Sequence, residues 1–273
     1  MFWKRFKRDR AAIIGLGILV FIICLSILGP IFAPYDPVEQ SLAKRRQLPN
    51  WENIFGRDAF GRDIFSRILF GARITLIAGL SVVISAMIIG TILGTFSGYW
   101  GGLVDTLIMR AMDFILAFPT FFLAILIVAM LGPSLFNAII AVTITTIPQY
   151  ARVVRGATLS LKGSLYIEAA KAMGASDIRI IIEHIIPNLI GPIIVLASVG
   201  LGGAVIMVAA LGFLGMGAQP PTAEWGLMLS EGRSYITSNP HMTIIPGIFL
   251  VVFVLGSNLV GDGLRDVLDP RLK

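Results

Sequence analysis

Six stretches of this chain run for 16 to 28 residues without one Asp, Glu, Lys or Arg. They are Ile13–Ala33, Ile74–Phe96, Phe114–Leu131, Leu135–Tyr150, Leu189–Met216 and Thr243–Gly261. A helix needs about 20 apolar residues to cross about 30 Å of hydrocarbon, so most of these are long enough to span a bilayer. Leu135–Tyr150 is short and rich in Thr, which makes it the weakest of the six. The runs are continuous rather than alternating, which excludes a closed β-barrel. Only 14% of the residues are charged, against about 25% in an ordinary soluble domain, so lipid must be the solvent for most of the surface. The expectation is an all-α polytopic membrane protein with six transmembrane helices.

The basic start "MFWKRFKRDR" precedes an apolar run longer than that of a secretory signal, and no A-x-A site follows, so Ile13–Ala33 reads as a retained first span. Six spans put both termini on one side. On that side the connecting segments hold 14 of the 22 Lys and Arg residues, and the other side holds 8. The positive-inside rule then predicts cytoplasmic N- and C-termini and a cytoplasmic 151–188 segment. The segment 34–73 becomes an external loop. Its seven basic residues are nearly balanced by Asp36, Glu39, Glu52, Asp58 and Asp63, with Arg57/Asp58 and Arg62/Asp63 expected as exposed ion pairs of little energetic weight. The net charge of +6 is thus a topology signal and does not point to nucleic acid.

No Lys follows a Gly, so the chain lacks a phosphate loop, and it also lacks HExxH, CxxC and GxSxG. No metal site and no bound cofactor are expected. The charge-free spans argue against coupling to a proton or sodium gradient, because ion relays keep ionisable groups at membrane depth. A transporter of this composition needs energy from another polypeptide.

The segment "EAAKAMGASDIRIIIEHIIPN" from Glu168 to Asn188 is far more polar and helix-forming than a connector requires. Ser164 is placed to cap a helix over the Ala-rich run, Gly174 suits a positive φ that ends it, and Ser176 can cap a second helix. Ile178, Ile181, Ile182 and Ile185 then form one apolar stripe that Pro187 terminates near the membrane. The reading is a thin, rigid knob that docks on a soluble partner; a merely solvated connector is the alternative.

This segment resembles the EAA loop of ABC-importer permeases, whose pattern is EAA, three residues, Gly, and a distal I-x-L-P. Glu168, Ala169, Ala170, Gly174 and Pro187 match, while His184 and Ile186 replace the Ile and Leu. "FGRDAFGRDIFSRILFGARITL" (55–76), "GFLGMGAQPPTAEWGLML" (212–229) and "LVGDGLRDVLDPRLK" (259–273) are similar to the dipeptide/oligopeptide branch, specifically its second permease subunit. The resemblance covers essentially the whole chain. It implies an ABC-importer permease fold, with a five-helix core plus an N-terminal helix, in the bacterial plasma (inner) membrane. Residues 1–33 would be the cytoplasmic start and first helix, 34–73 the external loop, and 74–273 the core with its coupling loop 151–188. The chain would do no chemistry itself. Glu168, Ala169, Ala170, Lys171, Met173, Gly174, Ala175 and Ser176 would contact a cytoplasmic ATPase. The implied partners are a second homologous permease, two ATPase subunits carrying ATP and Mg, and an extracytoplasmic peptide-binding protein. The implied function is ATP-driven uptake of dipeptides or oligopeptides by alternating access. A nickel, glutathione or other small-solute permease is the alternative within the family, and a gradient-driven carrier or channel the alternative outside it.

Four groups of residues keep two readings each. Arg152, Arg155 and Arg179 either pair with acidic groups on the ATPase or mark the inner side. Ala86, Gly90, Gly94 and Gly98 form a small-residue stripe for close helix packing, within the chain or against the partner permease. Gly203, Gly212 and Gly215 either line a pathway or serve packing and flexibility. Gln219 and Trp225 form an external gate or dock, or else an interfacial loop with the indole at headgroup level.

Overall fold

A computed structural model describes residue 6 and residues 9–268. Helix α1 (Arg10–Phe32) is capped by Asp9, whose carboxylate accepts from the backbone N–H groups of Ala11 and Ala12 at 2.8 and 3.3 Å. Helix α2 (Ile64–Trp100) has 37 residues, about 55 Å at 1.5 Å per residue. It starts ten residues before the apolar run, capped by Asp63 through Ser66 N–H at 2.7 Å, so residues 64–73, expected in a loop, are helical. The charges of Arg67 and Arg73 hid this helical start.

The third apolar run is two helices, α3 (Gly102–Leu116) and α4 (Thr120–Leu131), bent by 91°. Pro119 explains the break: it supplies no N–H and pushes Phe118 out of helical geometry. Helix α5 (Leu135–Lys162) is capped by Ser134. Helix α6 (Leu165–Ala172) and helix α7 (Asp177–Ile180) follow, and a π turn over Ile181–Ile185 carries α7 directly into α8 (Ile186–Phe213). Pro187 therefore does not end the amphipathic helix. It lacks the N–H that its own helix turn requires, and the hydrogen-bond ladder widens by one residue there instead of stopping. Helices α9 (Trp225–Gly232) and α10 (His241–Leu268) complete the chain. Among the described residues, four helices are long and apolar enough to cross a membrane, or five when the bent α3–α4 pair counts as one span. Helix α5, diluted by Thr and Arg, lies alongside α2 and completes the expected set of six.

The stripe Ala86, Gly90, Gly94 and Gly98 faces α5 of the same chain and not a partner. A Cβ at Gly90 would lie 2.4 Å from Tyr150 Cβ, and one at Gly94 would lie 2.4 Å from the Ala151 carbonyl oxygen. Contacts step from Tyr150 to Val154 to Thr158 as α2 advances from Gly90 to Gly98, so the two helices run parallel. The chain must therefore return across the layer between them. Helix α3 begins this return at Ser97, and α4 finishes it where Ala124 and Val128 pack on Ala78, Val82 and Val142. Helices α1 and α10 pack antiparallel through Gly15 and Gly256, and α8 crosses α2 near Gly79.

Around the 34–63 segment the charges are buried and paired differently from the sequence expectation. Arg62 donates to Asp58 at 2.6 Å and to Glu231 at 2.6 Å, and Arg67 donates to Glu231 at 3.1 Å. Arg57 instead bonds Asn53 and the Gly61 carbonyl. Both Arg62 and Arg67 are 1% exposed or less, because the 215–240 segment folds back onto the start of α2. Within it Glu224 caps α9 through Gly226 and Leu227 N–H and accepts from the Thr75 hydroxyl. Burial pushes the Glu224 carboxyl above its ordinary range, against the pull of those three donors.

Two outcomes are expected in thermal unfolding of the purified protein. Gly94→Val wedges α2 from α5 and destabilises by at least about 1–3 kcal/mol, whereas Gly156→Ala, with nothing within 4 Å of the added Cβ, is neutral or stabilising. Glu231→Ala leaves two buried guanidinium groups sharing the single carboxylate of Asp58 and costs about 3–5 kcal/mol, while Lys44→Ala, which breaks an exposed 3.5 Å pair with Glu52, changes little.

Candidate functional site: the 163–185 knob and the α5–α8 cleft

The polar segment is built as a rigid protrusion. Ser164 stands at the start of α6, but its hydroxyl turns back to donate to the Leu161 carbonyl and makes no cap bond. Ile167 and Ala170 point inward and pack with Ile180, Ile181, Ile185 and Val154. Gly174 has φ +86°, and Ala175 N–H closes on the Ala170 carbonyl at 3.1 Å, which ends α6 as its glycine requires. Ser176 then caps α7 by accepting from Arg179 N–H at 3.4 Å.

The apolar stripe divides between two faces. Ile181 and Ile185 are buried in line with Leu189, because α7 continues into α8 and shares its inner face, whereas Ile178 and Ile182 are 66% and 57% exposed. Of the remaining residues, Ala175 is half-buried and Glu168, Ala169, Lys171, Met173, Gly174 and Ser176 are exposed. Met173 and Leu165 are each 83% exposed, the most exposed apolar side chains of the knob. Among the described residues Glu168 makes no side-chain hydrogen bond or ion pair.

A tyrosine that sequence reasoning overlooked ties this knob to the transmembrane helices. Tyr99, at the end of α2, is 3% exposed and packs with Ile167, Ala170 and Ile180. Its hydroxyl donates to Asp177 at 2.6 Å, and Lys171 and Lys162 lie over its ring at 5.1 and 5.7 Å, within the range of cation–π attraction. The signal in the sequence was an aromatic pair, Tyr99-Trp100, closing a long apolar run; nothing local named its partner 78 residues away.

The three arginines all have partners within the chain. Arg152 donates to Asp113 at 2.7 Å, Arg155 grips Asp105 with two N–H groups, and Arg179 donates to Glu183 at 2.9 Å. Asp105 also accepts from Ser97, so this cluster joins the end of α2, the start of α3 and the later part of α5.

The residues expected along a pathway separate. Gly203, with Gly200, lines a cleft of about 690 Å³ between α5 and α8, opposite Thr146, Gln149 and Arg152. Gly212 faces Glu224, where a Cβ would stand 2.9 Å from the carboxylate. Gly215 makes a turn at φ +78°, which Gln219 Nε2 secures by donating to the Gly215 and Gly217 carbonyls at 3.0 Å each. Trp225 is fully buried beside Ile64, Ile68 and Val205, and its indole N–H donates to the Ile68 carbonyl at 3.2 Å. It is neither a headgroup-level anchor nor part of the cleft, because the loop that carries it folds inward against α2.

Tyr99→Phe removes the bond to Asp177 while keeping the ring. Amide hydrogen exchange across residues 165–180 is then expected to speed up on the order of tenfold, as the loss of a hydrogen bond to a charged acceptor implies, with exchange in α1 unchanged.

Comparison with known proteins agrees with this architecture. Residues 90–273 match the family described as binding-protein-dependent transport system inner membrane component, and residues 1–49 match the N-terminal TM domain of oligopeptide transport permease C. The dipeptide transport system permease protein DppC of Alkalihalophilus pseudofirmus is 48% identical over 99% of this chain and 89% of its own length. DppC of Haemophilus influenzae is 43% identical over 100% of this chain and 94% of its own. The glutathione transport system permease protein GsiD of Escherichia coli is 45% identical over 100% of this chain and 90% of its own. In fold, the chain is similar to one from the inward-facing MetNI methionine ABC transporter, with a TM-score of 0.57 and 22% identity over 73% of this chain and 95% of that one. The chain is a multi-pass inner-membrane protein and belongs to the binding-protein-dependent transport system permeases, on their dipeptide and oligopeptide branch.

Proposed function

We propose that this chain is one of two membrane-spanning subunits of an ATP-driven ABC importer for dipeptides or short oligopeptides. The observation that carries the reading is the knob over residues 165–179. It is rigid, exposed at Leu165, Glu168 and Met173, and fastened to α2 through Tyr99. A soluble ATPase that moves the knob moves α2 with it, and α2 carries α5 through their tight glycine contact. Rigid-body rocking of this kind switches a permease between inward- and outward-open states.

In this reading Glu168, Ala169, Lys171, Met173 and Gly174 shape the ATPase contact. Ala170, Ala175 and Ser176 hold the form of the knob. Two cytoplasmic ATPase subunits carry ATP and Mg, a second homologous permease completes the membrane pore, and an extracytoplasmic peptide-binding protein delivers substrate. The charge bias puts the knob and both termini in the cytoplasm. The names of the relatives support dipeptides first. The glutathione permease at 45% identity favours a second reading in which a tripeptide is the cargo.

The test is uptake by the complete complex in proteoliposomes. Glu168→Ala combined with Gly174→Val is expected to cut dipeptide uptake by about tenfold or more, with membrane insertion intact and the ATPase subunits still hydrolysing ATP. Normal uptake by that double variant refutes the coupling role. Glutathione competing better than dipeptides for the wild-type complex decides for the second reading.

A further inference from the structure

Helix α5 has 28 residues, about 42 Å, and Gln149 lies at the end of its apolar run Leu135–Tyr150. That amide is exposed, and among the described residues it has no hydrogen-bond partner. A polar amide at this depth is costly against lipid and acceptable where it meets water or a polar solute. It faces the 690 Å³ cleft, within the roughly 300–1,000 Å³ typical of small-molecule sites. Across the cleft Gly200 and Gly203 present bare backbone. One turn further along α5 stands Arg152, the cationic residue on the wall of that cleft. Its partner Asp113 reaches it from α3 at 2.7 Å, and both side chains are about half exposed, at 52% and 50%. Each of them can therefore be reached by a solute without unfolding anything. A second cleft, of about 500 Å³, adjoins the first through Val153 and Val199 and continues toward Arg265 on α10.

We propose that Arg152 and Asp113 form a substrate-reading pair in which a peptide crossing the cleft exchanges partners with the ion pair. The peptide carboxylate takes the Arg152 guanidinium, and its ammonium group takes the Asp113 carboxylate. The inference rests on the importer reading above and adds to it the substrate chemistry of this wall: a zwitterion with both ends free. An ion pair that a zwitterion replaces charge for charge holds cargo without stranding either side chain unpaired, so binding stays weak enough for release. A planar guanidinium also matches a carboxylate with two parallel N–H donors. Gln149 supplies amide donors and an acceptor to the peptide bond between the two ends. Arg155 competes less well, because Asp105 holds its guanidinium with two hydrogen bonds and the pair is less exposed, at 33% and 22%.

The experiment uses the complete complex in proteoliposomes, supplied with alanyl-p-benzoylphenylalanine and ATP and irradiated during uptake. The photolinked peptide is expected on residues 145–153, with the yield reduced on the order of tenfold in Arg152→Gln and retained in Arg152→Lys, as the loss of a charge-assisted hydrogen bond requires. Linkage elsewhere only, or linkage on 145–153 at equal yield in Arg152→Gln, overturns the inference while peptide accumulation leaves the importer reading standing. Failure of the wild-type complex to accumulate the peptide, or alanyl-alanine beside it, overturns the importer reading and this inference with it.

Discussion

The backbone contact between α2 and α5 is the constraint on which the remaining architecture depends. In lipid there is no hydrophobic force to press two helices together, so close approach through small residues and dense van der Waals contact must do it. Gly90 and Gly94 permit that approach because a Cβ at either would meet α5 atoms at 2.4 Å. The contact is parallel, and a parallel pair joined by about one further crossing obliges the chain to come back. The bent α3–α4 segment is the consequence, with Pro119 supplying the corner. Once α5 has one face committed to α2, its opposite face is left to the cleft, and that is where Gln149 and Arg152 lie.

The same pairing organises the end of the molecule that carries the knob. Helices α2 and α5 finish side by side, so Ser97 and Tyr99 come level with Arg155 and the knob. Two polar anchors then hold that end: Asp105 with Ser97 and Arg155, and Asp177 with Tyr99. The knob itself adds little apolar burial, with Ile167 and Ala170 its inward residues. Its orientation thus rests heavily on the Tyr99 bond and on the continuity of α7 with α8. A force applied at Met173 has short, stiff routes to both α2 and α8, which is the mechanical property a transmission element needs.

At the other end, charge is used for structure. Arg62, Arg67, Asp58 and Glu231 lie inside the fold and join the external loop, the start of α2 and α9. Buried ion pairs contribute little net stability relative to apolar packing, and they penalise any arrangement that leaves a member alone. Their effect here is to fix one placement of the 215–240 segment, with Trp225 in the core beneath it.

The amino-acid sequence by itself determined the membrane class, the positive φ at Gly174, the cap at Ser176 and the family motif. Each of these follows from local chemistry: apolar length against bilayer thickness, or a single residue's backbone freedom. Tertiary structure decided what those local signals cannot contain. The glycine stripe was legible as a packing surface, but not that its mate was α5 of the same chain. The charges at 57–67 looked like solvated loop because their partner Glu231 is 164 or more residues away in sequence. Arg152, Arg155 and Arg179 looked free for the same reason in two cases of three, the third being a local i, i+4 pair. Trp225 looked interfacial because aromatic rings in external loops usually are, and only the inward fold of that loop buries it. Burial and pairing are properties of what stands opposite a residue, and what stands opposite is set by how the helices cross.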